Sequence, residues 1–270
     1  MTMNFFNRPL AVAVIIAAWP IFAQAAPIEV LSFEGDPNDV DGYPGVVGNG
    51  WATSWANDSD NYEAEIRSDD PFAFPGAGNH YLNFTGTSDN AQSVHRTYES
   101  VSGLDIDQPH QISFLYRQHT DNGFARIYDL EGGGNLGGDA AWIVMAEGTD
   151  FVVFDGDFGT GFGDRQTMPG GEDFIVIGHE YLVTIDIRPG EGRYDVHIED
   201  LIEETSIDYF DAQFRNQGTG VSGTINFNDG NSNLTDFDID LLTVIPEPST
   251  LAFLGLGMGA VLLRRRARSR

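Results

Sequence analysis

The chain has 270 residues and is strongly acidic, with 14 Lys+Arg against 41 Asp+Glu and a formal net charge of −27. Every basic residue is an arginine, because the sequence contains no lysine. Such a surface repels nucleic acid and anionic lipid, so the composition excludes DNA and RNA as partners and favours divalent cations. Cysteine is absent, which excludes disulfide bonds as a source of stability.

The first 25 residues have the parts of a secretory signal peptide. Arg8 gives a positive start, Leu10 to Phe22 is apolar, and Ala23-Gln24-Ala25 is an A-x-A cleavage site. A short apolar core that ends in small residues is typical of a cleaved peptide rather than of a retained transmembrane helix. We therefore predict export by the Sec route, with a signal peptide at residues 1–25 and Ala26 as the first mature residue.

The last 25 residues combine a Pro246-Glu247-Pro248 tripeptide, an apolar run from Leu251 to Leu263 and a basic end that contains Arg264, Arg265 and Arg266. As a helix, this run of thirteen residues would measure about 20 Å, less than the roughly 30 Å of a hydrocarbon core. Arginines after such a run stay on the cytoplasmic side and stop translocation. Physical chemistry alone predicts a marginal C-terminal membrane stop, a short apolar transmembrane helix with an arginine-rich end.

This order of tripeptide, apolar run and arginine cluster resembles the PEP-CTERM sorting signal of Gram-negative bacteria. The resemblance covers residues 246–270. It implies that an exosortase, a membrane protease-transpeptidase of cells that make exopolysaccharide, recognises and processes the tail. It also implies a place at the cell surface, in the outer envelope or in the extracellular matrix. An ordinary C-terminal anchor is the alternative interpretation.

Residues 26–245 lie between these two ends and suit one β domain. Arg8, the five tail arginines and Glu247 lie outside this span, which leaves 8 basic and 40 acidic residues and a net charge of −32. Short β-rich runs alternate with Pro, Gly, Asn and Asp clusters, which favours an all-β sandwich of two antiparallel sheets. Residues 174–177 read as one such run, and residues 202–210 hint at a turn of helix. Residues 156–171 read as a long loop or as a wide hairpin tip.

Two pairs of segments resemble jelly-roll domains. Tyr181 to Ile187, a tight turn and Tyr194 to Ile198 resemble the paired strands of concanavalin A-like and laminin-G-like jelly rolls. The segment that begins at Phe33 and the segment Phe237 to Val244 resemble the first and last strands of jelly-roll carbohydrate-binding modules. The resemblance implies a two-sheet antiparallel jelly-roll sandwich in which the first and last strands can be neighbours.

In those modules an early Glu and a late Asp often hold a structural Ca²⁺. The resemblance therefore implies a calcium site made by Glu34 with Asp238 or Asp240. Carboxylate oxygens are the ligands that Ca²⁺ prefers. Asp240 fits the family's last strand better, although Leu241 replaces a polar residue there. The alternative interpretation is a row of alternating polar side chains on a solvated strand face.

Three aromatic residues follow the first strand closely in the sequence: Trp51, Trp55 and Tyr62. Exposed aromatic faces stack on sugar rings, so these residues form the predicted carbohydrate-binding site. Large aromatic side chains are mostly buried in sandwiches, and core residues under a long loop are an equal alternative.

The sequence carries no recognisable signature of catalysis. Asp236-x-Asp238-x-Asp240 lacks the glutamates of the concanavalin A-like hydrolases, and Arg117 with His119 suggests only a polar patch on one strand. We predict an exported, exosortase-sorted protein of the cell surface or extracellular matrix, which binds polysaccharide or another surface component without catalysis. The alternatives are a divergent glycoside hydrolase or polysaccharide lyase and a purely structural envelope protein.

Overall fold

The computed structural model describes residues 29–31, 56–57, 63–85, 93–98, 104–121, 123–130, 140–156, 164–215, 220–228 and 235–246. The predicted signal peptide and the apolar C-terminal segment lie outside these stretches. Within them, no helix has the length and apolar character needed to cross a membrane.

Fifteen strands make up nearly all of the regular structure in the described stretches, and a 3₁₀ turn at Pro189–Glu191 joins β11 to β12. The strand bounds are β1 Glu29–Leu31, β2 Ala56–Asn57, β3 Glu63–Arg67, β4 Tyr81–Thr85, β5 Ser93–Thr97, β6 His110–Gln118, β7 Phe124–Asp129, β8 Ile143–Glu147, β9 Asp150–Asp155, β10 Asp164–Thr167, β11 Glu180–Arg188, β12 Arg193–Asp200, β13 Thr205–Gln213, β14 Thr224–Asn228 and β15 Asp236–Pro246.

The strands form two sheets. Sheet A has the order β13-β12-β11-β6-β15-β4-β3, with β1 paired to β15, and sheet B has the order β10-β9-β8-β7-β14-β5-β2. All pairings between these described strands are antiparallel. The all-β, two-sheet antiparallel sandwich predicted from the sequence is confirmed, and its first described strand lies beside its last.

Period-two alternation along the strands builds the core between the sheets. In β12, Tyr194, Val196 and Ile198 are buried, while the residues between them are partly exposed. Aromatic rings from the two sheets meet inside: the ring centroid of Phe227 in β14 lies 5.6 Å from that of Phe114 in β6. At about 25 cal/mol per Å² of apolar area removed from water, this shared core is the main source of stability.

β15 connects the two halves of sheet A because it pairs with three neighbouring strands. One edge pairs with β6, while the partner of the other edge changes from β4 to β1. The change coincides with a β-bulge between Asp240 and Thr243, where Leu241 has a φ of +49°. A bulge bends the strand locally, which lets one strand follow two successive partners.

A further layer covers part of the outer face of sheet A. Phe72 and Tyr81 pack with Leu115 of β6 into a small buried cluster outside the sandwich, and Phe74 and Ala77 pack against it. This covering segment, residues 68–80, shields from water the part of the strand face on which Asp238 lies.

Two local predictions are wrong, and a third left two interpretations open. Residues 174–177 are not a strand; Phe174 packs against the core, and the Val176 N–H donates to the hydroxyl of Tyr181 at 2.7 Å. Residues 202–210 form a turn and most of β13 rather than a helical turn. Residues 156–171 contain β10, which pairs antiparallel with β9, so this stretch belongs to a hairpin, as the second of the two interpretations expects.

Candidate functional site

The predicted site residues fall into two groups. Asp238, Asp240 and Pro246 lie on β15. The others lie outside the described residues: Glu34, Trp51, Trp55, Tyr62, Glu247, Pro248, Arg264, Arg265 and Arg266.

Asp238 is fully buried near the middle of sheet A. It lies opposite Asn83 of β4 on one side and Arg117 of β6 on the other. The Nδ2 of Asn83 donates to Oδ1 of Asp238 at 2.8 Å. Arg117 donates to Oδ2 from Nε at 2.9 Å and from Nη2 at 2.6 Å. A buried charge needs such partners, and here two neighbouring strands supply them in register.

His119, the residue after β6, contacts the same oxygen. Its Nε2 lies 2.6 Å from Oδ2 of Asp238, and its side chain is 30% exposed while that of Asp238 is 0% exposed. The hydrogen bond with Asp238 raises the pKa of His119, and burial opposes this effect. The partly exposed imidazole therefore connects the buried carboxylate with solvent.

Arg117 also fastens the covering segment to the sheet. Its Nη2 donates to the backbone carbonyl of Asp70 at 2.5 Å, and its guanidinium carbon lies 4.6 Å from the ring centroid of Phe72. Glu180 of β11, 3.9 Å from Nη1, accepts a hydrogen bond from the Ala73 N–H at 2.7 Å. One guanidinium therefore joins β15, β6 and the covering segment through charge and ring contacts.

The three carboxylates of β15 share one face but have different surroundings. Asp236 is partly exposed and accepts a hydrogen bond from Nδ2 of Asn83 at 2.9 Å. Asp240 is fully buried, and its Oδ1 accepts the Leu241 N–H at 2.7 Å. The alternation seen in the sequence is present, but this face is covered, not solvated, at Asp238 and Asp240.

The calcium hypothesis stays a prediction. Among the residues that the structure describes, no group of three or more His, Cys, Asp or Glu side chains is placed to hold a metal ion. Both oxygens of Asp238 accept hydrogen bonds, so a cation there would compete with Arg117. Glu34, the remaining predicted ligand with Asp240, lies outside the described residues.

Sequence reasoning missed the partnership at the centre of this site. It assigned Arg117 and His119 to a polar patch and Asp238 to a metal site, whereas the three side chains form one cluster. The signal that could have joined them is the position of an arginine inside an apolar strand, where a carboxylate partner is required.

Comparison with protein-family models gives a match at the C-terminus. Residues 244–266 match the model described as a PEP-CTERM protein-sorting motif. The chain therefore carries a PEP-CTERM sorting motif, as its tripeptide, apolar run and arginines predict. No curated protein matches the chain.

Solved structures share the fold at low sequence identity. A conserved carbohydrate esterase from a Shiga toxin-encoding bacteriophage matches with a TM-score of 0.50 and 11% identity, over 83% of this chain and 100% of that one. Lectin II from Ulex europaeus matches with a TM-score of 0.39 and 13% identity, over 72% of this chain and 98% of that one. At such identities the similarity concerns the fold alone. Fold and motif together define a jelly-roll β-sandwich protein with a C-terminal sorting motif.

Proposed function

We propose that this protein is exported, processed at its C-terminus by an exosortase, and displayed at the cell surface or in the extracellular matrix of a Gram-negative bacterium. The observation that carries the proposal is the PEP-CTERM motif at residues 244–266. The predicted signal peptide at residues 1–25 supplies the export step that such a motif needs.

The position of the motif in the fold supports this role. Pro246, the first residue of the tripeptide, is the last residue of β15 and pairs with His110. The tail therefore leaves directly from a central strand. A tail held in the bilayer would place the His110 end of sheet A next to the membrane and the end with His119 and Asp236 away from it.

We further propose that the sandwich binds extracellular polysaccharide without catalysis. Two observations support a polysaccharide as the ligand, while the lack of a catalytic signature in the sequence favours binding alone. PEP-CTERM sorting, by the family resemblance, belongs to cells that make exopolysaccharide, and the phage protein with the same fold is described as a carbohydrate esterase. Trp51, Trp55 and Tyr62 stay the predicted sugar-stacking residues, and Ca²⁺ held by Glu34 with Asp238 or Asp240 stays the predicted structural ion.

Surface display tests the sorting proposal. Replacing Arg264, Arg265 and Arg266 with alanine in the full chain removes the positive charge that stops translocation. We expect the variant to lose surface display, measured by access of an added protease to the sandwich in intact cells. Ile202→Ala, on the sandwich surface, is the control and should be displayed normally. Equal display of the triple variant and the wild type would contradict the sorting proposal.

Retention on exopolysaccharide tests the binding proposal. The mature protein should be retained on beads that carry the exopolysaccharide of the producing bacterium, and the polymer should stay intact. If the protein is retained neither in the presence of Ca²⁺ nor in the presence of EDTA, the binding proposal is contradicted. Release of new reducing ends or unsaturated sugars during incubation would instead support the hydrolase or lyase alternative.

Thermal melting tests the calcium proposal. A metal that binds only the folded state raises the melting temperature in proportion to the logarithm of its concentration over its dissociation constant. We expect a higher melting temperature in Ca²⁺ than in EDTA at the same ionic strength, with Mg²⁺ less effective. A melting temperature that Ca²⁺ and EDTA leave equal would contradict a structural calcium ion.

A further inference from the structure

Phe210 is the most exposed large hydrophobic side chain of the described residues, with 70% of its surface accessible. It lies in β13, the edge strand of sheet A. Single exposed apolar residues are common and need no explanation of their own. The backbone conformation that directs this ring towards solvent is unusual, and it does need an explanation.

A β-bulge turns Phe210 away from the core. Two residues of β13, Phe210 and Asp211, lie opposite the single residue Asp195 of β12, while Tyr209 and Ala212 on either side pack inwards. Asp211 has a φ of +66°, and its N–H donates to Oδ1 of Asp195 at 2.6 Å. Such a conformation costs on the order of 1 kcal/mol and persists where its surroundings impose it, often at binding sites.

Fixed polar groups flank the ring along the strand. On one side, Nη2 of Arg188 donates to Asp195 at 3.0 Å and to Asp211 at 3.2 Å. On the other side, Nδ1 of His197 lies 2.7 Å from Oδ1 of Asp208, and both side chains are about 40% exposed. An exposed aromatic face between planar hydrogen-bonding groups matches a sugar ring, which offers C–H bonds on its face and hydroxyls at its rim.

The charges around the ring select among sugars. Asp195, Asp208 and Asp211 lie next to Phe210 on β12 and β13, and Glu191 contacts Arg188. Arg188 and Arg193 both contact carboxylates of this group. The other six arginines of residues 26–245 are buried or contact groups other than these carboxylates. Arg67, Arg117 and Arg165 contact carboxylates, Arg96 and Arg215 are buried, and Arg126 lies over an aromatic ring. Uronic acids and sulfated sugars would meet net negative charge here, whereas neutral sugars would not.

We propose that Phe210 and the polar pairs beside it form a stacking platform for the hexopyranose rings of a neutral polysaccharide. The proposal rests on the polysaccharide-binding function proposed above and adds to it a site and a class of sugar. A second copy of the chain is the less suitable occupant, because the bulge and Asp211 interrupt the edge along which a partner strand would pair.

Affinity electrophoresis of the mature protein tests the platform, with hydroxyethyl cellulose, galactomannan or polygalacturonate in the gel. We expect at least one of the two neutral polymers to retard the wild type and polygalacturonate to leave it unretarded. Phe210→Ala should weaken retardation about tenfold or more, and Phe210→Trp should retain it. Ile202→Ala is the matched control, since it removes another exposed apolar side chain, and it should behave like the wild type. Equal melting temperatures would show that all variants fold.

Three results would overturn the platform. The first is that the wild type migrates freely in both neutral polymers. The second is that the wild type and Phe210→Ala are retarded equally. The third is that the wild type sediments as a dimer and Phe210→Ala as a monomer. Retention on the native exopolysaccharide is the separate measure of the proposed function. If wild type and Phe210→Ala are retained there alike, the platform fails and polysaccharide binding stands; if neither is retained, both fail.

Discussion

At the scale of single residues, the buried carboxylate of Asp238 is the feature with the largest energetic consequence. It is 0% exposed and accepts hydrogen bonds from Asn83, Arg117 and His119. Taking a carboxylate and a guanidinium out of water costs several kcal/mol per ion, which only their mutual contact and further hydrogen bonds offset. Removing one partner therefore leaves the other charge buried and uncompensated.

Asp238→Asn should destabilise the protein by about 3 kcal/mol or more, because Arg117 would keep its charge and lose its counter-ion. Urea denaturation of the two proteins measures the difference. Asp236→Asn is the control; this residue is partly exposed, its Oδ1 can still accept from Asn83, and the expected loss is below about 1 kcal/mol. Equal losses of unfolding free energy in the two variants would show that the Asp238–Arg117 contact contributes no more to stability than the partly exposed Asp236.

His119 should make stability depend on pH above pH 6.5. Its folded pKa is raised from 6.5 by the hydrogen bond with Asp238, against the opposing effect of burial. Folding therefore favours the protonated form, so this stabilisation is complete below pH 6.5 and is lost as the pH rises through the folded pKa. Melting temperatures from pH 6 to 9 should fall more steeply for the wild type than for His119→Gln. Parallel curves would contradict the coupling.

The alternation of β15 shows how far residues can be predicted from the sequence. Period two correctly puts Asp236, Asp238 and Asp240 on one face, because strand geometry fixes that spacing. It says nothing about what lies over this face. The partner of Asp238 is Arg117, 121 positions away along the chain, and contacts at that distance follow from strand order rather than from local pattern.

At the scale of elements, the bulge in β15 decides how sheet A is assembled. Leu241 within it has a φ of +49°, and the strand changes its partner from β4 to β1 at this point. A left-handed conformation is tolerated by Gly and Asn better than by Leu. Backbone strain at this position therefore favours a residue such as Asn over Leu.

Leu241→Asn should change the free energy of unfolding by less than about 1 kcal/mol, because relief of backbone strain offsets the loss of a partly buried side chain. Leu242→Asn, one residue further and 0% exposed, should cost more than about 3 kcal/mol. Chemical denaturation of both variants measures the contrast. Similar losses in the two would mean that Leu241 carries no strain.

Strands could be predicted where apolar and polar residues alternate along the sequence, and could not be predicted where this alternation is missing. β11 and β12 alternate cleanly and lie inside sheet A, and their pairing was expected. β10 consists of Asp164, Arg165, Gln166 and Thr167 and lies at the edge of sheet B, so it carries no apolar signal. Residues 174–177 show the reverse case, an apolar segment that is not a strand. Ile175 lies in a loop, and its side chain packs into the core.

At the scale of the whole molecule, charge is the dominant property. The chain has a net charge of −27, and residues 26–245 contain 40 acidic against 8 basic residues. Repulsion among carboxylates opposes the compact state and keeps the protein soluble. Cations in the medium should therefore stabilise the sandwich by screening, independently of any specific site.

Raising NaCl from about 0.01 M to about 1 M shortens the Debye length from roughly 30 Å to roughly 3 Å. We expect the melting temperature of the mature protein to rise over this range, because screening weakens repulsion more in the folded state than in the expanded one. A melting temperature that stays constant or falls would contradict self-repulsion as a significant term.

The central claim is that the sandwich is exported and that its tail is a processing signal. The intact mass of the surface-displayed protein tests this most directly, in strains with and without an exosortase gene. The account predicts a chain that begins at Ala26 and, only where the exosortase is present, lacks the arginines after Leu263. A surface protein that keeps its complete C-terminus in both strains would contradict the account.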